Sequence, residues 1–475
     1  MTNQERQHQK MTGTPVPRLV VQLGIPTTIS MLITSIYNMA DTYFVSQLGT
    51  AASGAVGVVF SLMAVFQAVG FTLGMGSGSL ISRRLGEKDQ NAADRCAASA
   101  FYLSLAFGVC ITALGSVLIR PLMHLLGATD TILPFAVDYG RYIIIGAPVI
   151  CASFVLNNIL RAEGKSALAM VGLCTGGVLN LGLDPLLIFK AGLGTAGAAI
   201  ATLVSQCVSF LLLLLMFLTH RSSVSLHPRY IERNVRVYLE IVRCGLPSFC
   251  RQGLASISTV LLNRQAARYG AAEGMARFAE AAAARAFGDA AVASMSIVSK
   301  VFMFMLCVAL GIGQGFMPVA GYNYGAKKYG RVRKAYRFTV LLSFVLMSAL
   351  SAAIFALSPR IVTLFRRDDP AVIEIGALAM RLQCVAMPLQ TVIVPTNMIH
   401  QALGRSWEST LLSACRQGIF FIPLIVLLPM AAGLLGVQAT QAVADVLTFA
   451  VSIPFALRFF HGLAREENGQ KEERK

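Results

Sequence analysis

From about residue 18 to about residue 458 the chain alternates between long apolar runs and short basic loops. Hydrocarbon offers backbone groups no water to bond, so a spanning segment must be a helix of roughly 20 apolar residues or a strand of a closed barrel. The runs fall near 18–43, 52–82, 97–119, 136–160, 167–189 and 194–219, then near 245–267, 290–320, 337–357, 375–399, 411–429 and 434–458. The short alternating strands of a membrane barrel are absent. The expected fold class is therefore an all-α polytopic membrane protein with twelve transmembrane helices. Composition agrees. Of 475 residues, 55% are hydrophobic and 13% charged, and the mean hydropathy is +0.65. Soluble domains carry roughly 25% charged residues, and half of that cannot coat a globule of this size. Disorder, a collagen repeat and a disulfide scaffold are excluded by the same figures.

The net charge of +17 would suggest a nucleic-acid partner in a soluble protein. Here it follows the membrane. Loops on the side shared by both termini hold 26 Lys and Arg, and those on the other side hold 10. That bias places both termini in the cytoplasm of a plasma-membrane protein, with lipid and not nucleic acid around it. Residues 1–17 are polar, contain Pro15 and Pro17, and lack the charged-then-apolar order of a cleavable signal, so the first run is expected to be retained. Most of the ten cysteines lie singly in apolar runs, with no CxxC pair and no zinc spacing, and read as small buried hydrophobes.

The two halves repeat. Gly24-Ile-Pro26 returns as Gly245-Leu-Pro247, and Leu73-Gly-Met-Gly-Ser-Gly78 as Leu310-Gly-Ile-Gly-Gln-Gly315. Pro148 answers to Pro388, Ala162-Glu-Gly164 to Ala402-Leu-Gly404, and Gly194 and Gly197 to Gly433 and Gly436. The offset grows from 221 at Gly24 and Gly245 to 239 at Gly194 and Gly433, which locates an insert of roughly 18 residues near 271–288. Six helices per half is an even number, so the repeats are parallel, a plan suited to alternating access around a central cavity. The expected division is a cytoplasmic segment 1–17, an N-lobe 18–219, a linker 220–244, a C-lobe 245–458 and a cytoplasmic tail 459–475.

Ionisable groups inside spans are costly and mark function by default. The first half holds two acids well inside its runs, Asp41 and Asp184. Asn180 lies one helical turn before Asp184, and Thr202 falls two turns into the descending sixth run. All four reach one depth in the outer half of the membrane. Such an all-oxygen set suits a hard cation such as Na+, and without metal two close carboxylates share a proton. The bland alternative puts Asp41 in the headgroup zone and makes Asp184 a helix cap before Pro185. The second half holds Arg251, Lys300, Arg381 and Arg416 but only Asp445 as a deep acid. These cations either pair as structural parts or face the cavity and tune substrate charge. Gln314 and Gln390 are candidates for the cavity wall or for interhelical glue. Pro26, two turns into the first helix, marks a hinge or a static kink.

The chain resembles the multidrug and toxic compound extrusion (MATE) family of the multidrug/oligosaccharidyl-lipid/polysaccharide superfamily. The resemblance covers about residues 15–460. It rests on Ile36-Tyr-Asn-Met-Ala-Asp-Thr42, the Gly-x-Gly-x-Gly run of the second helix, Asn180-x3-Asp184-Pro185 and Tyr322-Asn-Tyr-Gly-Ala-Lys327. Leu246-Pro-Ser-Phe-Cys-Arg-Gln252 and Arg416-Gln-Gly-Ile-Phe-Phe-Ile-Pro423 are similar to the bacterial MepA-like branch. The resemblance implies a V-shaped pair of six-helix lobes and export driven by inward Na+ or H+ flow, with no cofactor. It implies an ion-coupling site of Asp41, Asn180, Asp184 and Thr202, joined by Tyr139 and Asn157. The substrate cavity is expected to touch Tyr37, Asn38, Arg251, Gln314 and Gln390. The acids that another branch carries in helices 7 and 10 are missing, so coupling is expected in the N-lobe. No Walker loop, DDxxD, HExxH or Ser/His/Asp set accompanies the spans, which argues against an ATP-driven pump or a membrane enzyme. The expected function is a monomeric, cation-coupled exporter of amphipathic, mainly cationic small molecules. A lipid-linked saccharide flippase of the same superfamily is the alternative.

Overall fold

A computed structural model describes residues 3–277, 280–366 and 369–473, and among these every regular element is helical. A short helix α1 (Asn3–Gly13) precedes α2 (Val16–Ser46), α3 (Thr50–Gly86) and α4 (Gln90–Val117), which runs on into α5 (Ile119–Leu125). Then come α6 (Leu133–Ile145), α7 (Ala147–Ala162), α8 (Ser166–Pro185) and α9 (Gly194–Leu218). The second half holds α10 (Val235–Arg277), α11 (Ala281–Gly325), α12 (Tyr329–Phe365), α13 (Pro370–Ala386), α14 (Gln390–Ala402), α15 (Ser406–Ala414) and α16 (Phe421–Glu473).

Twelve crossings emerge from these helices. Nine segments are long and apolar enough to span on their own, and α6 with α7, bent by 52°, form a tenth. The eleventh is α10, whose apolar stretch is diluted by Arg251, Gln252 and Asn263. The twelfth appears because Gly433 (φ 57, ψ −136) divides the continuous segment Ser406–Glu467 into two crossings.

The repeat is visible in backbone detail. Gly194 and its counterpart Gly433 take φ of 55° and 57°, a left-handed conformation that glycine adopts without strain. Three residues on, a Cβ on Gly197 would lie 2.6 Å from the Leu187 carbonyl oxygen, and one on Gly436 2.3 Å from that of Leu428. Lys88 and Lys327 are left-handed as well, and each ends its helix with the same closure, Asp89 N–H to Arg84 O and Lys328 N–H to Asn323 O. The Asn157 amide donates to Ala169 O at 2.8 Å, and the Asn397 amide donates to Ser409 O at 2.7 Å. Such coincidences across different side-chain surroundings indicate duplication of one backbone plan.

Two compact units form. The first takes in the chain up to Phe249 together with Gln314–Val332 and Gln401–Ser406; the second takes in Cys250–Gly313, Arg333–His400 and the chain from Trp407 onward. Phe66, Tyr139, Ile143 and Ile144 are fully buried at the centre of the first unit.

Two segments differ in form from a simple tail and a simple loop. The polar N-terminal segment folds as α1 and docks on the first unit. Gln7 donates to Glu163 O at 2.6 Å, while Met11 O accepts from Asn323 at 3.1 Å and Thr12 O from Lys328 at 3.1 Å. Polar side chains and carbonyls hold it, with Met11 as its fully buried apolar anchor, so hydropathy alone gave no signal. The insert near 271–288 extends α10 and α11 as helix. Gly270 and Gly274 face Ala291 and Ala284 across the pair, where the missing side chains let the two backbones approach. Residues 278 and 279, inside the insert, lie outside the described residues.

Candidate ion-coupling site

Glycines on α8 decide which helices meet. A Cβ on Gly177 would lie 3.0 Å from Ile33 and 3.2 Å from Tyr37 of α2, and one on Gly176 would lie 2.9 Å from Ser209 of α9. Thus α8 is gripped on two faces, and the polar side chains one turn further on are brought together. Asp41 (3% exposed), Asn180 (2%), Asp184 (0%), Thr202 (4%) and Tyr139 (0%) are all buried there.

Their hydrogen bonds form a chain. The Tyr139 hydroxyl of α6 donates to Asp41 Oδ2 at 3.0 Å and is also a hydrogen-bonding neighbour of Thr202. The Asn180 amide donates to Asp184 Oδ1 at 3.1 Å and to Thr202 Oγ1 at 3.3 Å. Asp41 and Asp184 are close enough for their charges to interact. Beyond Asp184, Pro185 supplies no N–H, and the chain passes into a π-helical turn over Leu186–Lys190, an irregularity that often marks functional sites.

What remains unpaired defines the chemistry. Asp41 Oδ1, Asn180 Oδ1 and Asp184 Oδ2 are buried and have no hydrogen-bond partner. Each orphaned acceptor costs about 1–3 kcal/mol, and the three share one cluster. Every one is an oxygen lone pair. The deficit is of positive charge or of donors, which protons on the carboxylates or a hard cation among the oxygens would supply. Among the described residues no group of three or more His, Cys, Asp or Glu side chains is placed to hold a metal ion. A cation here would rely on the amide and hydroxyl oxygens as well as the two carboxylates.

The remaining predicted site residues are placed as follows. Asn157 spends its amide on Ala169 O, one interhelical bond from α7 to α8, and makes no described hydrogen bond to the carboxylates. Tyr37 is buried beside the cluster, and Asn38 is half-buried. Gln314 Oε1 accepts from Arg161 Nη1 at 2.5 Å, with both side chains buried in the first unit. Gln390 is fully buried in the second unit with neither amide atom hydrogen-bonded. Arg251 is half-buried in the second unit. Pro26 lies inside α2, where Thr27 and Ser30 hydroxyls bond the neighbouring Leu23 and Pro26 carbonyls. Sequence reasoning missed Gln206, a hydrogen-bonding neighbour of Tyr37. It lies one turn after Thr202 on α9, and that spacing was the available signal.

Twelve crossings, a duplicated six-helix plan and a buried polar cluster are the features of a membrane transporter of the two-repeat type. The MatE family profile matches residues 26–186 and 277–427, and the chain belongs to that family. It is 25% identical over 434 residues to the multidrug export protein MepA of Staphylococcus aureus strain MRSA252, covering 91% of this chain and 92% of that one. A MATE structure in complex with MaL6 superposes with a TM-score of 0.89 at 28% identity, over 98% of this chain and 100% of that one. An outward-facing multidrug-resistance MATE transporter of the MOP superfamily gives 0.88 at 27%, over 98% and 99%. The family match includes Asp41, Tyr139, Asn157, Asn180 and Asp184; Thr202 falls in the unmatched interval.

Proposed function

We propose that the chain is a secondary active exporter that moves amphipathic small molecules out of the cell in exchange for inward H+ or Na+. It acts as a monomer in the plasma membrane with both termini in the cytoplasm. The three orphaned oxygens of Asp41, Asn180 and Asp184 carry this reading, because they leave a buried site short of positive charge. A cation or proton entering there removes net negative charge between α2, α8 and α9. A few kcal/mol of differential binding between two states is enough to shift their populations. Tyr139 holds Asp41 in place, and Asn180 and Thr202 orient Asp184. The relationship to MepA and to a multidrug-resistance MATE transporter supports drug-like substrates.

The test uses purified protein in vesicles with Na+ and pH gradients imposed separately. Export of a fluorescent amphiphile should follow one of the two gradients. Equal export with neither gradient would overturn the coupling. The flippase reading is kept by the half-buried guanidinium groups of Arg251 and Arg416 in the second unit, which suit a lipid phosphate; it predicts lipid-linked saccharide transfer and no dye export.

A further inference from the structure

The first unit buries a positive charge that the coupling site does not use. Arg161, in the last turn of α7, keeps 6% of its surface open, so its guanidinium does not reach out to water. No acid pairs with it among the described residues. Glu163, two residues on, is taken up by Lys165, the Ser222 hydroxyl and the Ser223 N–H. Other intramembrane cations are accounted for differently. Arg416, in a π-helical turn over Cys415–Ile419, pairs with Asp445 at 2.9 Å. Arg381 donates to Ser358 at 3.0 Å and stacks over Phe355, and Lys300 is exposed. For Arg161 the described hydrogen bond runs from Nη1 to Gln314 Oε1, and Nε is buried with no partner. Gln314 is neutral, so the charge is left standing. The C-terminal end of α7 offsets at most about half of it.

The guanidinium lines a cavity of about 30 Å³, together with Gly74, Gly78, Asn158, Gln314 and Pro318. No Asp or Glu is among the described residues of its wall. Arginine only donates, so the atom that Gln314 turns to it is the amide oxygen. The Gln314 amide N–H groups are left without a described partner. The Asn158 amide gives one N–H to Phe154 O at 2.8 Å and has a second to offer. Pro318 has no N–H, so the Gln314 backbone carbonyl lacks its i+4 donor and is the one acceptor this geometry frees nearby.

A cavity of this size holds about one or two waters. A drug-sized acid does not fit, and a monatomic anion does. We infer that the cavity binds a chloride ion, with Arg161 as its charged ligand and the Gln314 and Asn158 amides as neutral ones. A water bridging Arg161 Nε to the Gln314 carbonyl is the competing occupant. It satisfies the N–H and leaves the buried charge without a counter-charge, which is the costlier state. The ion inverts the chemistry of the Asp41 cluster: oxygens there lack positive charge, and a guanidinium here lacks negative charge. Its ligands tie α7 to α11 beside the Glu163–Gly164 turn, and the inference does not depend on the exporter reading.

Purified protein titrated with sodium chloride against sodium gluconate, at constant Na+ and ionic strength, tests the site. Tm should rise by several degrees and saturate with chloride, bromide should act alike, and gluconate, too large for the cavity, should have no effect. Arg161→Met removes the charge and should abolish the halide response, whereas Arg161→Lys should keep a weaker one. If Arg161→Met does not fold, wild-type crystals grown in bromide decide, and an anomalous peak beside the Arg161 guanidinium is expected. No halide-specific rise in Tm, an equal rise in Arg161→Met, or a cavity without a bromide peak overturns the site and leaves water as its occupant.

Discussion

Asp41 and Asp184 come from helices far apart in the chain, yet they face the same buried space. Each is held by one neutral donor, Tyr139 for Asp41 and Asn180 for Asp184, which leaves one oxygen of each unpaired. A donor that fixes a carboxylate while leaving it able to accept a proton or cation is what a site of changing charge requires. Asp41→Asn or Asp184→Asn keeps the shape and removes the titratable charge. Gradient-driven export should fall more than tenfold in either variant, while yield and insertion match wild type. Normal export in the double variant would remove the pair from the coupling role. Both acids were legible in the sequence because an intramembrane carboxylate is expensive wherever it lies. Gln206 was only weakly legible, through its one-turn spacing from Thr202, since a neutral amide in an apolar run is common and acquires meaning from the neighbour it meets. Asn157, an amide in a similar run, makes an α7-to-α8 bond.

At the scale of elements, the apolar runs located the helices well and their irregularities poorly. The two π turns, the bend between α6 and α7 and the extension of α10 and α11 each arise from hydrogen-bond geometry or glycine contacts that hydropathy averages away. Proline is the exception, because its missing N–H can be read directly. Pro26 deprives Gln22 of its i+4 backbone donor, and nearby the Thr27 and Ser30 hydroxyls bond the Leu23 and Pro26 carbonyls. If α2 bends there during the cycle, Pro26→Ala restores the backbone bond and stiffens the helix. The variant should bind its coupling ion as wild type does and show a several-fold lower turnover of substrate. The Asp41 site lies fifteen residues along the same helix, roughly 22 Å at 1.5 Å per residue, so its ligands remain undisturbed. Unchanged turnover would make the kink static and leave movement of whole helix groups as the source of alternating access.

At the scale of the molecule, the duplication was readable because glycines and prolines carry backbone information that survives when other side chains diverge. Gly194 and Gly433 share a left-handed φ, and Lys88 and Lys327 share a helix ending, as two copies of one backbone plan do. Parallel halves of six crossings fix a relation among the loops. If the turn at Glu87 is cytoplasmic, the segment joining α10 to α11 lies outside, because five crossings separate the two. We propose the orientation with Glu87 inside, which the 26 to 10 distribution of Lys and Arg supports. Glu87 and Ala282 are both exposed, so a cysteine at either position is open to reagent. In a background with the native cysteines replaced, an impermeant maleimide applied to intact cells should label Ala282→Cys and spare Glu87→Cys until the membrane is opened. Labelling of Glu87→Cys alone would invert the orientation. Labelling of both from outside would mean that an even number of crossings separates them, and the twelve-helix assignment would then fail at α10, the crossing whose apolar stretch Arg251 interrupts.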